Sequence, residues 1–235
     1  MSLKNLQIKF ISPLKGYIAE PKPSLLHIPK AYKELAMFTN QNTVKRCIPF
    51  LDALTSGYII PFPVDILYEY DTEKKMCHFT VNEAIPHEFR PYIGVSEHSL
   101  SQISPELRSS KRTVEGVFKF NNPWVIKTPP GYSCLFFTPL NHVLPFELIS
   151  GVVDTDSYES NIHLPFYWTA NYLEQKLLKV GTPMVMVVPF KRESWKIACE
   201  TTDMLNTQDK KNFLKYFSEY FDNYKKNSWH KKSYK

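Results

Sequence analysis

The chain of 235 residues holds 18 prolines but only 7 glycines, with a formal net charge of +6 and a pI near 9.0. That length fits one large domain or two small ones, and 43% hydrophobic against 22% charged residues describes a folded, soluble chain rather than a disordered one. The glycines (16, 57, 94, 116, 131, 151 and 181) stand at least fifteen residues apart, so neither GxGxxG nor GxxxxGK(S/T) can be written, and phosphate-loop ATPases and simple dinucleotide-binding folds are excluded.

In chain order, Leu6, Ile8 and Phe10 alternate with polar residues and predict a short strand closed by Ser12-Pro13. A loop bearing Pro21, Pro23 and Pro29 leads to two helical stretches, about 31–38 and 44–54, the second compromised by Pro49. Residues 58–70 and 76–81 read as a hairpin around Asp71-Thr72-Glu73, and 86–112 as an irregular polar excursion. From 113 to 190, β-rich runs (114–120, 124–127, 132–138, 145–153, 162–168, 183–190) alternate with turn signals such as Asn121-Asn122-Pro123 and Pro129-Pro130-Gly131. Proline has no N–H to give a ladder, so this many prolines predict short strands with many edges and corners. The expectation is a mainly β fold: an antiparallel, jelly-roll-like barrel over residues 50–200. An N-terminal strand and short helical elaboration would occupy 1–49, and a C-terminal helix and basic tail 201–235.

That helix is predicted from Thr207 as N-cap, Gln208-Asp209 in the first turn, and Phe213, Phe217, Tyr220, Phe221 and Tyr224 at helical spacing. Its aromatic stripe would pack on the barrel or on a neighbouring subunit. The last eleven residues, KKNSWHKKSYK, carry five lysines and no acid; without them 24 basic groups face 23 acidic ones. The body is therefore nearly neutral, and the tail reads as a short solvated arm suited to an acidic partner. The cysteines (47, 77, 134 and 199) form no CxxC pair, which excludes a zinc ribbon or thioredoxin motif and predicts buried free thiols in a reducing compartment. MSLKNLQIKF lacks the apolar stretch of a secretory leader, and the longest charge-free run, 128–146, is broken by four prolines. A soluble, cytoplasmic protein without a membrane span is expected.

The most specific run is Gly151-Val152-Val153-Asp154-Thr155-Asp156-Ser157-Tyr158, framed by Lys127 to Tyr132 upstream and Val180 to Val188 downstream. Read as residues alone, it is a strand end and an Asx-type turn in which Asp154 and Asp156 accept backbone N–H groups. The three segments, in this order, resemble the dUTPase and dCTP-deaminase superfamily over about residues 113–190. The chain is also similar, over about 50–200, to a family of uncharacterised phage and bacterial proteins sharing NNPW…TPPGYS…GVVDTD…VPFKRE. The first resemblance implies a dUTPase-like barrel, usually trimeric, in which Asp154 activates the attacking water and Tyr158 stacks on the deoxyribose. Mg²⁺ would neutralise the phosphate oxyanions. The chain departs from that pattern in several places. Asp154 and Tyr158 stand one residue further apart, Ser160 replaces a glycine, and Phe137-Thr138-Pro139-Leu140 occupies the place of the arginine-serine-glycine motif. The closing-strand glutamine and the glycine-rich arm are missing as well.

His142, Glu147 and His163 could be posed as an Fe(II) site, but without an HxH pair they read better as strand histidines, so no metal site is expected. Serine-histidine-aspartate catalysis lacks a GxSxG elbow, and Cys134 lies in an apolar strand as an inert thiol. In Pro189-Phe190-Lys191-Arg192-Glu193-Ser194-Trp195, Arg192 and Trp195 could stack on a base or grip a phosphate, or simply cap a barrel end. Two functional classes remain. The first is a non-catalytic β-barrel binding or assembly protein of phage type, structural or accessory, needing no cofactor. It would form a homo-oligomer such as a trimer, in host cytoplasm or virion, with Tyr158, Asp156, Arg192 and Trp195 as ligand-binding residues. The alternative is a divergent nucleotide-processing enzyme with Asp154 as its catalytic carboxylate and Mg²⁺ as cofactor. The missing phosphate motifs favour the first.

Overall fold

Apolar residues in short alternating or continuous blocks build most of this chain, and prolines and turns cut the blocks short. The computed structural model describes residues 6–36, 43–81, 86–199, 201, 211 and 223–235. Its strands are β1 (Lys9–Ile11), β2 (Lys22–Pro23), β3 (Tyr58–Pro61), β4 (Ile66–Asp71), β5 (Met76–Val81), β6 (Val95–His98) and β7 (Val117–Phe120). They continue with β8 (Val125–Lys127), β9 (Tyr132–Phe137), β10 (Phe146–Leu148), β11 (Gly151–Val153), β12 (Leu164–Trp168), β13 (Lys176–Leu178) and β14 (Pro183–Lys191). Short helices α1 (Lys30–Glu34), α2 (Ile48–Thr55) and α3 (Asn223–Asn227) accompany them.

The strands pair antiparallel in four sheets, ordered β11-β9-β14-β3-β2, β10-β12-β7-β6, β13-β4-β5 and β1-β8. None of these orders closes on itself, so the fold is mainly β but the expected barrel is not a closed one. A barrel needs an unbroken staggered ladder. Here Pro23, Pro61 and Pro183 sit at strand ends, where a missing N–H does least harm to pairing. The chain turns a corner instead. Phe62 N–H donates to Thr182 O at 2.9 Å and Gly181 N–H to Phe62 O at 3.0 Å, which joins the β14–β3 ladder to the β13–β4 ladder. A register shift between Pro183 and Val185 absorbs the bend.

Inward side chains of the sheets meet in one contiguous core. The Phe120 and Phe166 rings stack at 3.9 Å between centroids, and Tyr68 stacks on Trp168 at the same distance. Phe62 and Phe146 close edge-on around Phe120. Each buried aromatic of this kind contributes roughly 1.5–3 kcal/mol of transfer free energy. Leu14 and Ile18 belong to the same core, and β1 and β2 pair with β8 and β3, so the N-terminal elaboration shares the body's packing.

Several local expectations are revised. Pro49 is the second residue of α2, where backbone N–H groups lack intrahelical acceptors, so it starts the helix rather than breaking it. The 86–112 excursion contains β6, which pairs with β7. The 145–153 run divides into β10 and β11, which join different sheets. Only Cys134 is buried; Cys77 is half-buried, and Cys47 and Cys199 are exposed, which corrects the expectation of four buried thiols. Phe213, Phe217, Tyr220 and Phe221 lie outside the described residues. The basic tail is not simply a solvated arm, because Trp229 Nε1 donates to Asp52 Oδ2 at 3.0 Å and Lys232 Nζ reaches the same oxygen at 2.5 Å. Among the described residues no helix is long and apolar enough to cross a membrane.

Candidate functional site

Three of the quoted segments converge where β9 begins and β11 and β14 end. The ladders dictate this: Lys191 pairs with Tyr132, and Val153 with Cys134. The turn before β9 needs Gly131, whose φ of +84° is left-handed. Its N–H donates to Asp156 Oδ2 at 2.8 Å, and its carbonyl accepts Arg192 N–H at 2.8 Å. Ser133, fully buried, donates its hydroxyl to Asp154 Oδ1 at 2.6 Å. Thr155 begins the turn after β11, its N–H donating to Val153 O at 3.0 Å, and its side chain is fully buried. Buried Thr155 Oγ1 lies 2.7 Å from Thr128 Oγ1 and 3.3 Å from Cys134 Sγ.

Arg192 ties this corner together. Its Nη1 donates to Tyr132 O (3.2 Å), Ser133 Oγ (3.0 Å), Asp154 Oδ1 (3.2 Å) and Asp156 Oδ1 (2.9 Å). Its Nη2 donates to Asp156 Oδ2 at 2.5 Å, so the fork grips Asp156 with two parallel bonds. Those bonds, with the Gly131 N–H, hold the Asp156 carboxyl well below the usual carboxylate range. Burial pushes the Cys134 thiol up to about 11, against a Thr155 hydroxyl contact that lowers it. A thiol so protonated is a core group, not a nucleophile.

The sequence-predicted residues therefore separate into three places. Asp154 (side chain 62% exposed), Asp156 (10%) and Arg192 form the corner cluster, and the carboxylates face Arg192, Ser133 and Gly131 rather than the local N–H groups of an Asx turn. Local N–H groups do cap the turn, but on main chain: Ser157 and Tyr158 N–H donate to Asp154 O at 3.1 and 2.9 Å. That turn carries Tyr158, 44% exposed, to a groove it shares with Lys119, Asn161 and His163. Trp195, 87% exposed, stands on the irregular segment after β14. His142 and Glu147 line a cavity of about 440 Å³ that His163 does not reach, and Glu147 accepts the Ser109 hydroxyl at 2.6 Å. Among the described residues no three histidine, cysteine, aspartate or glutamate side chains gather as a metal site.

The NNPW segment is a packing device. Asn122 brackets Trp124, donating Nδ2–H to Trp124 O at 2.9 Å and accepting Trp124 N–H at 3.1 Å. Asn161 Nδ2 then donates to Asn122 O at 2.8 Å, which fixes the loop below Tyr158. Thr128, Ser133 and Thr155 were not singled out from sequence, although the TPPGYS run places two hydroxyls beside a turn. Arg192, the partner of Ser133, lies 36 residues beyond Asp156, and only the ladder brings it back. Chemically the corner sets one guanidinium against two carboxylates: Arg192 holds both Asp156 oxygens and Asp154 Oδ1, so a cation at this corner would compete with Arg192. Neither a protein-family model nor a curated protein matches the chain.

Proposed function

We propose that this chain is a non-catalytic, jelly-roll-like (dUTPase-like) binding or assembly protein of phage structural or accessory type. The observation that carries the proposal is the Arg192 guanidinium seated among the corner acids, gripping both Asp156 oxygens and donating to Asp154 Oδ1. A Mg²⁺ ion at these carboxylates would have to compete with that fixed cation, and a carboxylate beside a guanidinium is a weakened base. The jelly-roll-like reading draws on antiparallel sheets whose neighbours are mostly non-consecutive strands around one core. The phage type rests on the similarity carried by NNPW, TPPGYS, GVVDTD and VPFKRE. Assembly is supported by residues 192–199, a run without regular secondary structure in which Trp195 and Ile197 are 87% and 92% exposed. Self-association into a homo-oligomer, with three copies as the first candidate, would cover them.

Exposure of the Asp154 side chain and the neighbouring Tyr158 groove favour a second reading, nucleotide processing through Asp154. With a panel of nucleoside triphosphates and Mg²⁺, wild type is expected to release no phosphate or pyrophosphate. Light scattering is expected to give one defined oligomer, weakened by Trp195→Asp. Turnover that Asp154→Asn abolishes would overturn the proposal.

A further inference from the structure

Strand pairing lines up a second set of side chains on the outer face of the four-stranded sheet. Ser96 pairs with Lys119, and Lys119 with Pro165, so these residues share a face across β6, β7 and β12. His98, two residues beyond Ser96, falls on the same face. The Tyr158 turn and Asn161 border two adjoining open grooves on this surface, of about 540 and 440 Å³. Both are lined by Lys119, Tyr158, Asn161 and His163; His98 borders one and Tyr92 the other.

No aspartate or glutamate lines either cavity, and Lys119 has no ion pair among the described residues. A cation with two imidazoles and no counter-charge is matched by an anion. Partial burial and nearby Lys119 lower the His163 pKa, a tension that an arriving oxyanion relieves. The walls ask for more than a bare ion. The exposed Tyr158 and Tyr92 rings offer apolar faces with hydroxyl tips, suited to the C–H face of a saccharide ring. Asn161 spends its Nδ2 on Asn122 O, which leaves its amide oxygen to accept a ligand hydroxyl.

We propose that this groove binds a sugar ester of a tetrahedral oxyanion, a sugar phosphate or sugar sulfate, with Lys119, His98 and His163 on the oxyanion and Tyr158 against the ring. The site shares no side chain with the Arg192 cluster. It rests on the binding reading above, yet its failure would leave the Asp154 and light-scattering tests unchanged.

Calorimetric titration of the full chain with glucose 6-phosphate, glucose 6-sulfate, inorganic phosphate and glucose tests it. At least one of the two esters is expected to bind saturably and more tightly than inorganic phosphate, the tighter ester naming the oxyanion, while glucose gives no heat. Lys119→Met, which keeps the aliphatic stem, is expected to weaken ester binding about tenfold or more. Tyr158→Ala is expected to remove the advantage of ester over inorganic phosphate. No saturable ester binding, equal affinity for glucose, indifference to Lys119→Met, or a mononucleotide binding more tightly than either ester would each overturn the proposal.

Discussion

Arg192 is the residue on which the most contacts of the corner depend. Its planar fork satisfies two carboxylates, a hydroxyl and a carbonyl at once, and a lysine ammonium cannot reproduce that geometry. Arg192→Lys is therefore expected to lower the thermal midpoint nearly as far as Arg192→Ala; full recovery by lysine would show that charge alone matters. The pH dependence has a definite sign. Asp156 is held below its ordinary 3.8, so its contribution is complete above that value and disappears as pH falls through the folded value. Burial lowers the pKa of His27, His142 and His163 below 6.5, so the neutral rings favour the fold and their contribution fades as pH drops below 6.5. Denaturant midpoints should fall in two stages on acidification, the first beginning near pH 6.5 and the second below about 3.8. Arg192→Ala should shrink the second stage, to which Asp71 and Glu174 also contribute through their own partners, and leave the first unchanged. At this scale the sequence made Asp154, Asp156 and Arg192 visible as chemistry-bearing residues. It could not show that they bind one another, because charge type is local and pairing is not.

Among the elements, strand existence was legible and strand partnership was not. The β4–β5 hairpin could be read from Asp71-Thr72-Glu73, and its turn is indeed capped by Asp71 Oδ1, which accepts Glu73 and Lys74 N–H at 3.0 and 2.9 Å. The β6 strand escaped notice because Val-Ser-Glu-His has little apolar signal; its ladder with β7 supplies what its side chains do not. The β13 strand escaped for a similar reason, being only three residues long. Close packing between elements also decides which glycines matter. Gly57 has φ +64°, and a Cβ there would lie 2.2 Å from Val187 O on β14. Gly57→Ala should cost more than about 1 kcal/mol, adding a backbone clash to conformational strain. Gly131 also has positive φ, but open space surrounds its Cβ direction, so Gly131→Ala should cost less. Chemical denaturation of the two variants would rank them, and the reverse order would refute this account of the β3–β14 contact.

Across the whole molecule, the two ends of the chain return to the body. The N-terminal β1 pairs with β8, while the C-terminal residues reach α2 and β3 through Trp229 and Lys232 on Asp52 and Tyr234 edge-on to Tyr58 at 5.9 Å. Asp52→Ala removes the shared acceptor, and tryptic cleavage after Lys231 or Lys232, followed by mass spectrometry, should accelerate while cleavage within the sheets does not. Unchanged cleavage would mean that the ring contact alone holds the tail. Composition and proline spacing determined by themselves that this chain folds as short antiparallel strands, and glycine spacing excluded a phosphate loop, because both depend on what a residue's own backbone can do. Only the tertiary structure decided that the sheets stay open, that the basic tail is anchored, and that Arg192 binds the carboxylates. Each of those outcomes depends on contacts between residues far apart in the chain, whose meeting is set by ladder register rather than by local sequence.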